Sequence, residues 1–397
     1  MDKKRIGVVF GGRSAEHEVS VITAHQVMDA LEVAGYSVLP IYICKQGDWY
    51  AGRPLHSIEL YRKFSRNPEA IEGVYRVCLS PDRSVRQLVD HPQRKRPLLH
   101  RSPQLWADAF FPVVHGSFGE DGTLQGLFEL ADVPYVGSGV AASAIGMDKI
   151  RTKAICTSSA IPVLGCLSIS RIGWRADSQA FLDTVERQYR YPVIVKPVCL
   201  GSSIGVTRCE NRAQLQRALE TSLLFDERAL VERALTNFTE INCSVLGPPE
   251  RVSVCEQPCT NGPVLSFDAK YKSGRKQAAL GMKTGMASLE RIVPAKISAE
   301  LTGCVQALSA KLFQAIGASG VARADFLVDT DENRLYLNEI NTMPGSLAFY
   351  LWEASGLPFD ELVTILVKMA YDRYASRGET KFSFEANLLA LPQQAAV

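Results

Sequence analysis

The sequence predicts an α/β protein of more than one lobe, and three observations carry that prediction. The first is size: 397 residues with 46% hydrophobic content can bury sizeable cores, and suggest two or three lobes rather than one. The second is the start of the chain. An apolar strand over 6–10, a Gly11-Gly12 turn, a helix-patterned run over 16–34 ending at Gly35 and a strand over 38–43 make a βαβ unit. The third is a hairpin over 321–345, VARADFLVDTDENRLYLNEINTMPG, in which the strand-like runs RADFLV and RLYLNEI flank a turn-forming cluster from Asp329 to Asn333.

A net formal charge of +2 argues neither for nucleic acid nor for an anionic membrane surface. The ten cysteines are scattered, with no C-x-x-C pair and no histidine at zinc spacing, so they read as reduced thiols. MDKKRIGVVFGG runs straight into a strand and turn, and no apolar run approaches ~18 residues. Neither signal peptide nor membrane span is expected, and a cytoplasmic setting is the default.

Taken in order, the turn GGRSAEHE puts backbone N–H groups and a helix N-terminus where an anion can bind, although tight packing explains Gly-Gly about as well. Glu16 and Glu18 complement the helix dipole. The stretch 44–106 is irregular and reads as an elaboration of the first lobe, its basic run HPQRKRPLLHR a solvated surface. Order returns with a strand over 110–114, a glycine-rich loop, a helix over 121–131 and a short strand. His115 ends the first of these strands, where a histidine is more often hydrogen-bonded structure than chemistry.

A helical pattern over 141–160 carries Lys149 in MDKIRTK. After a strand over 164–169 and a helix over 177–189, the strand YPVIVKP ends in Lys196, and a buried lysine needs an anion or a carboxylate partner. The Gly/Ser-rich turn 201–205 follows. It is no Walker motif, because no G-K-[ST] follows and no helix opens directly behind it, but its backbone amides can lie over phosphates. Lys149 and Lys196 strengthen that reading.

A helix over 213–224 leads to the strand ALVE ending at Glu232, then to strands TEINCSVLG, RVSVCEQP and VLSFDAKY. The run KYKSGRKQAALGMKTGMASLERIVP, rich in Gly, Lys and Ser, reads as a mobile lid, with an uninvolved surface loop as the alternative. Helices over 299–316 and 362–374 flank the hairpin and the tail from Glu385 is loosely held. No internal repeat is present.

Pairing Val328 with Arg334 places Arg323, Asp325, Glu339 and Asn341 on one face of the hairpin, with Asp325 diagonally across from Glu339. Two carboxylates and an amide oxygen are hard ligands, suited to a Mg²⁺ that keeps bonds to substrate phosphates. Arg323 adds a fixed positive charge. An edge hairpin facing water is the competing reading, but the apolar flanks give it little reason to gather these groups on one face.

FGGRSAEHEVS, HGSFGEDGTLQG, MDKIRTK, VIVKP with GSSIG, DAKY, ARADF and NEINTMPG occur in that order. Together they resemble the D-alanine–D-alanine ligase family of the ATP-grasp fold over nearly the whole chain. The resemblance implies a doubly wound N-terminal α/β lobe over 1–138 with an insertion near 44–106. A central lobe over 139–235 and a C-terminal lobe over 236–397, with a lid near 272–290, would grip ATP between them.

In that family's pattern Asp325, Glu339 and Asn341 match the Mg²⁺ ligands, with Mn²⁺ as a substitute. Lys149 and Lys196 match the lysines on the nucleotide phosphates, with Ser202 and Ser203 in the phosphate loop. Glu232 with Arg233, Ala234 and Leu235 matches the adenine-side hinge, and Glu240 the ribose ligand, one residue further along than usual. Glu16 matches the receiver of the first D-amino acid's ammonium. Ser202 and Tyr271 tie lobes and lid over the substrate, His115 lies beside it, Lys270 meets the transferred phosphoryl group, and Arg323 stabilises developing charge.

The implied reaction joins two D-alanines for peptidoglycan precursors: a carboxylate attacks the γ-phosphate of ATP, and an amine then displaces phosphate from the acyl phosphate. Positioning and charge neutralisation must carry most of the rate, and the lid must exclude water. A cytoplasmic homodimer without nucleic-acid or membrane partners is implied too.

Two departures touch the second substrate. After NTMPG the chain reads SLAFYLWE, placing Tyr350 where a serine is usual, with Leu351 beside it and Gly345 opening the segment; the lid also diverges over 273–290. D-alanine stands first as the incoming nucleophile, with D-serine, D-lactate or another amine or hydroxy acid open. A dipeptide-type ligase outside cell-wall synthesis is a further reading. A nucleotide-binding regulator without chemistry is disfavoured, since a decayed site has no need to keep metal ligands, Arg323 and lysines together.

Overall fold

The computed structural model describes residues 3–62, 68–91, 105–259 and 291–384. Lys270, Tyr271 and the expected lid over 272–290 lie outside the described residues. Three sheets organise the rest.

The first sheet contains β1 (Arg5–Gly11), β2 (Ser37–Ile43), β3 (Trp49–Ala51), β4 (Tyr75–Leu79), β5 (Leu88–Asp90) and β6 (Ala109–Pro112), in the order β5-β4-β3-β2-β1-β6. β1 pairs in parallel with both β2 and β6, as the βαβ reading requires. The stretch expected to be irregular adds strands: β3, β4 and β5 extend the sheet by antiparallel pairing. Their three to five residues are too short for an alternating pattern to stand out.

Alternation along β1 covers both faces of this sheet. Ile6, Val8 and Phe10 pack against the helix His17–Val33 and, from the far end of the chain, against Leu362, Leu366 and Val367 of the helix Phe359–Gly378. Val9 faces the other way, with Phe110, onto Leu124 and Phe128 of the helix Thr123–Ala131. Each such side chain, fully buried, contributes roughly 1.5–3 kcal/mol.

The second sheet holds β7 (Cys166–Ser170), β8 (Val193–Pro197), β9 (Thr207–Cys209) and β10 (Arg228–Arg233), ordered β7-β10-β8-β9 and antiparallel throughout. Val193, Val195, Ala229 and Val231 pack on the helices Ser178–Gln188 and Arg212–Phe225. By alternation Lys196 and Glu232 therefore share the opposite face.

The third sheet is also antiparallel: β11 (Phe238–Gly247), β12 (Arg251–Pro258), β13 (Arg291–Ile292), β14 (Gly320–Asp329) and β15 (Arg334–Asn341), ordered β13-β12-β11-β14-β15. Ile241, Cys243, Val245, Ala322, Ala324 and Phe326 face Val305, Leu312 and Phe313 of the helix Ala299–Ala315. The opposite face is polar, and cross-strand pairing sets Glu256, Asn242, Asp325 and Glu339 in one row across four strands.

The hairpin exists, but its register differs from the expected one. Val328 pairs with Leu335 rather than Arg334, and a bulge beyond Phe326 then sets Asp325 directly opposite Glu339 and Arg323 opposite Asn341. Leu337 and Ile340 are both buried in the core, so the two residues between them must both face away from it, which period-two alternation forbids without an extra residue. The bulge thus adds Asn338 to the polar face.

Candidate active site

The polar faces of the second and third sheets meet near the helix start at Glu16. On β14 the Arg323 guanidinium grips the Asp325 carboxylate with two parallel bonds, Nε to Oδ1 at 2.6 Å and Nη2 to Oδ2 at 2.7 Å, the fork geometry in which arginine differs from lysine. Asn341 donates to Asp325 Oδ2 at 3.0 Å. Burial opposes the Arg323 charge, and Asp325 beside it more than compensates, so its pKa lies well above the ordinary value. Its Nη1 is buried without a hydrogen-bond partner among the described residues.

Glu339, across the pair, meets Lys149 Nζ at 3.2 Å. Lys149 also donates to the Leu200 carbonyl at 2.8 Å, so one ammonium joins the hairpin to the 201–205 turn. Asp325, Glu339 and Asn341 are a hard-oxygen set. Each carboxylate oxygen keeps lone pairs beyond the bonds just described, so these residues fit a small hard cation as its protein-side ligands.

On the second sheet Glu232 is buried between two lysines. Lys196 Nζ ion-pairs with one carboxylate oxygen and Lys153 Nζ with the other, the latter at 2.9 Å. Burial pushes the Glu232 carboxyl up, but Lys196 and Lys153 outweigh it and hold the pKa near 2. Asn338 Oδ1, on the bulge, accepts from Lys196 at 2.9 Å. Lys153 further donates to Leu164 O at 2.9 Å. Arg233 turns towards the hairpin tip, bonding Tyr336 OH at 3.0 Å, while Ala234 N–H bonds Pro192 O and Leu235 O accepts from Arg208. Glu240, on β11, accepts from Asn242 at 3.2 Å.

Ser202 donates directly to the Glu16 carboxylate, joining the first and second sheets. Ser202 and Ser203 both have left-handed backbone, φ 55° and 58°. A Cβ at Gly116 would come within 2.6 Å of Glu16 Oε2, so a glycine is required there.

His115 completes a chain of three donors. Ser346 N–H donates to Thr23 Oγ1 at 3.1 Å, the Thr23 hydroxyl to His115 Nε2 at 2.9 Å, and His115 Nδ1–H to the Met343 carbonyl at 2.9 Å. Because a carbonyl only accepts, the proton lies on Nδ1. Burial lowers the His115 pKa to about 4, so the ring is neutral at pH 7.

Glu16, His115, Ser202, Arg323, Glu339, Asn341 and Gly345 line one pocket. A neighbouring pocket adds Lys149, Gly201 and Thr342. Lys196 and Glu232 line neither.

The Tyr350 hydroxyl donates to Glu256 at 3.1 Å, and the Arg291 guanidinium lies 3.9 Å over the Tyr350 ring and bonds Glu256 at 2.8 Å. Leu351 is fully buried.

Sequence reasoning missed Glu120, Lys153, Glu256, Arg291 and Asn338. Lys153 sits one helical turn after Lys149, a spacing that puts both on one face. Glu120, in the glycine-rich GSFGEDG loop, had no periodic signal.

Residues 5–138 match the family model described as D-ala D-ala ligase N-terminus, and residues 155–368 the one described as D-ala D-ala ligase C-terminus. The D-alanine–D-alanine ligase of Heliobacterium modesticaldum is 39% identical over 95% of this chain and 97% of its own length. That of Caldicellulosiruptor bescii is 35% identical over 97% and 100%. Among solved structures, the Coxiella burnetii D-alanine-D-alanine ligase superposes with a TM-score of 0.75 at 27% identity, covering 95% of this chain and 97% of its own. The VanG D-Ala:D-Ser ligase of Enterococcus faecalis gives 0.74 at 28%, covering 94% and 100%. With both family models matched in order and relatives this similar along nearly their whole length, the chain belongs to the D-alanine–D-alanine ligase family, enzymes of the ATP-grasp fold.

Proposed function

We propose that the protein uses ATP to join two D-alanines through an acyl phosphate, supplying peptidoglycan precursors. The observation that carries this reading is one pocket lined by both the Glu16 carboxylate and Arg323, whose Nη1 is buried without a hydrogen-bond partner among the described residues, the two charges that a zwitterionic amino acid requires. Glu16 would receive the ammonium of the first D-alanine, and Arg323 would meet the reacting carboxylate and the charge that develops on it. His115, neutral and fixed by its two hydrogen bonds, would wall the first substrate without adding charge.

Lys149, Lys196, Ser202 and Ser203 would hold the nucleotide phosphates. Lys196 is preset by Glu232 and Asn338, so little ordering remains when ATP arrives. Glu232 to Leu235 would border the adenine and Glu240 the ribose, with Lys270 and Tyr271 joining from beyond the described residues. Asp325, Glu339 and Asn341 would hold Mg²⁺, which when bound would offset phosphate charge. The remaining work belongs to the chain: aligning carboxylate and phosphate, and keeping water away from the mixed anhydride. A homodimeric, cytoplasmic setting belongs to the same proposal, on the family's habit and on the described cysteines all being free.

Tyr350 favours a second reading for the incoming group. Its hydroxyl donates to Glu256, which supports a second pocket unlike that of the usual serine-bearing segment. D-serine, which the name of the Enterococcus faecalis neighbour gives as that enzyme's substrate beside D-alanine, is the first alternative. The test is ADP release with ATP and Mg²⁺ against D- and L-amino acids and D-hydroxy acids, with products identified by mass spectrometry. D-alanyl-D-alanine is expected; a mixed product would move the assignment to that alternative, and ADP release independent of any amino acid would overturn the ligase reading.

A further inference from the structure

Glu120 lies in the glycine-rich loop before the helix Thr123–Ala131 and is nine-tenths buried. Its Oε2 accepts from Gly116 N–H at 2.7 Å and its Oε1 from Met343 N–H at 2.9 Å, so the side chain bridges the first sheet's loop to the segment after β15. It lines both spaces described above, together with Glu16, Glu339 and Asn341. Among the described residues no cation pairs with it.

That absence separates Glu120 from the two acids of the β14–β15 hairpin. Asp325 has Arg323, and Glu339 has Lys149. Burial, then the Glu16 charge, raises the Glu120 carboxyl to about 8, so without a cation beside it the group is mostly protonated at pH 7, and an ammonium there favours its ionised form. Removing a carboxylate from water without a counter-charge is strongly unfavourable, and two backbone N–H groups fix its position without neutralising it. A ligand cation is the missing partner. The same cavity supplies an independent sign of a ligand in Arg323 Nη1, a buried donor lacking an acceptor on a side chain only 8% exposed. One occupant satisfies both groups when it carries an ammonium and a carboxylate.

We propose that Glu120 is a second carboxylate for the ammonium of the first substrate, acting beside Glu16 and making the site select amino acids over carboxylic acids of the same skeleton. This rests on the ligase reading above. The two hydrogen bonds hold Glu120 rigid, so its contribution depends on the ligand's charge. A clamp between lobes would instead support any ligand of the right shape.

The experiment separates these. D-alanine-dependent ADP release is measured with propionate, the same skeleton without the ammonium, as competitor, in wild type, Glu120→Gln and Glu120→Asp, with thermal melts to confirm folding. Glu120→Gln should raise the KM for the first D-alanine at least tenfold, lower kcat less than threefold and leave the propionate inhibition constant unchanged or tighter. Glu120→Asp, which retains the charge but withdraws it, should raise that KM about threefold with propionate again unaffected, and decides alone if the glutamine variant does not fold. Equal weakening of D-alanine and propionate, or no change in either, overturns the proposal. Failure of the ligase reading is distinct: wild type would then release no ADP in response to D-alanine.

Discussion

Two buried charge clusters lie on facing sheets and are built to opposite ends. Around Glu232 the second sheet makes a closed group, in which both carboxylate oxygens meet an ammonium and each ammonium meets a further oxygen. Around Arg323 the third sheet makes an open group. Asp325 and Glu339 are paired, yet Arg323 keeps an unpartnered nitrogen and Glu120 nearby has no cation among the described residues. A closed cluster fixes geometry; an open one has interactions in reserve for a ligand. Stability loss should follow breaking the first, and catalytic loss breaking the second.

The largest expected effect is on the open side. Arg323→Lys keeps the charge but loses the planar fork, and kcat for D-alanine-dependent ADP release should fall about 10²–10³-fold. A loss under tenfold would show that the open cluster is not the reacting centre. On the closed side, Glu232→Gln leaves two buried ammoniums without their carboxylate, and urea unfolding should show a loss of about 3–5 kcal/mol. If Glu232→Gln unfolds like wild type and only activity suffers, the contrast between the clusters fails.

A pH measurement sharpens the comparison at the lobe junction. His115 is held near 4 in the fold against about 6.5 unfolded, so the unfolded chain binds more protons between those values. The stability contributed by keeping this ring neutral is present above pH 6.5 and lost as pH falls towards 4, by about 3 kcal/mol in all. The difference in unfolding free energy between wild type and His115→Asn should shrink across that window, and a flat difference would contradict the buried neutral ring. The smallest effect is expected at Tyr350. Removing its hydroxyl bond to Glu256 in Tyr350→Phe should change the KM for the second amino acid by no more than about 10–10²-fold, since one hydrogen bond to a charged group contributes about 1.5–3 kcal/mol at most. An effect confined to the KM for ATP would place the second pocket elsewhere.

Much of this was legible in the sequence because it rests on alternation and punctuation. The βαβ start, the strand ending in Lys196 and the face shared by Arg323, Asp325, Glu339 and Asn341 follow from period two and from glycine turns. The bulge escaped a strict period, although LNEI carries its trace: two core residues, Leu337 and Ile340, are separated by two polar ones instead of one. Lys153 and Glu120 escaped for another reason. Their roles come from partners distant in sequence, Glu232 and Met343, which no local pattern encodes. Tyr350 was legible as a departure from the family, but the direction of its hydroxyl depends on Glu256 and Arg291, on two other strands.

The claim that the β14–β15 hairpin carries phosphoryl transfer is tested most directly by titrating Mg²⁺ against D-alanine-dependent ADP release in wild type and Glu339→Gln. The account predicts that the variant needs far more Mg²⁺ and stays at least about 10²-fold slower at saturation, while its melting curve remains cooperative. An unchanged rate with an unchanged Mg²⁺ dependence would contradict it.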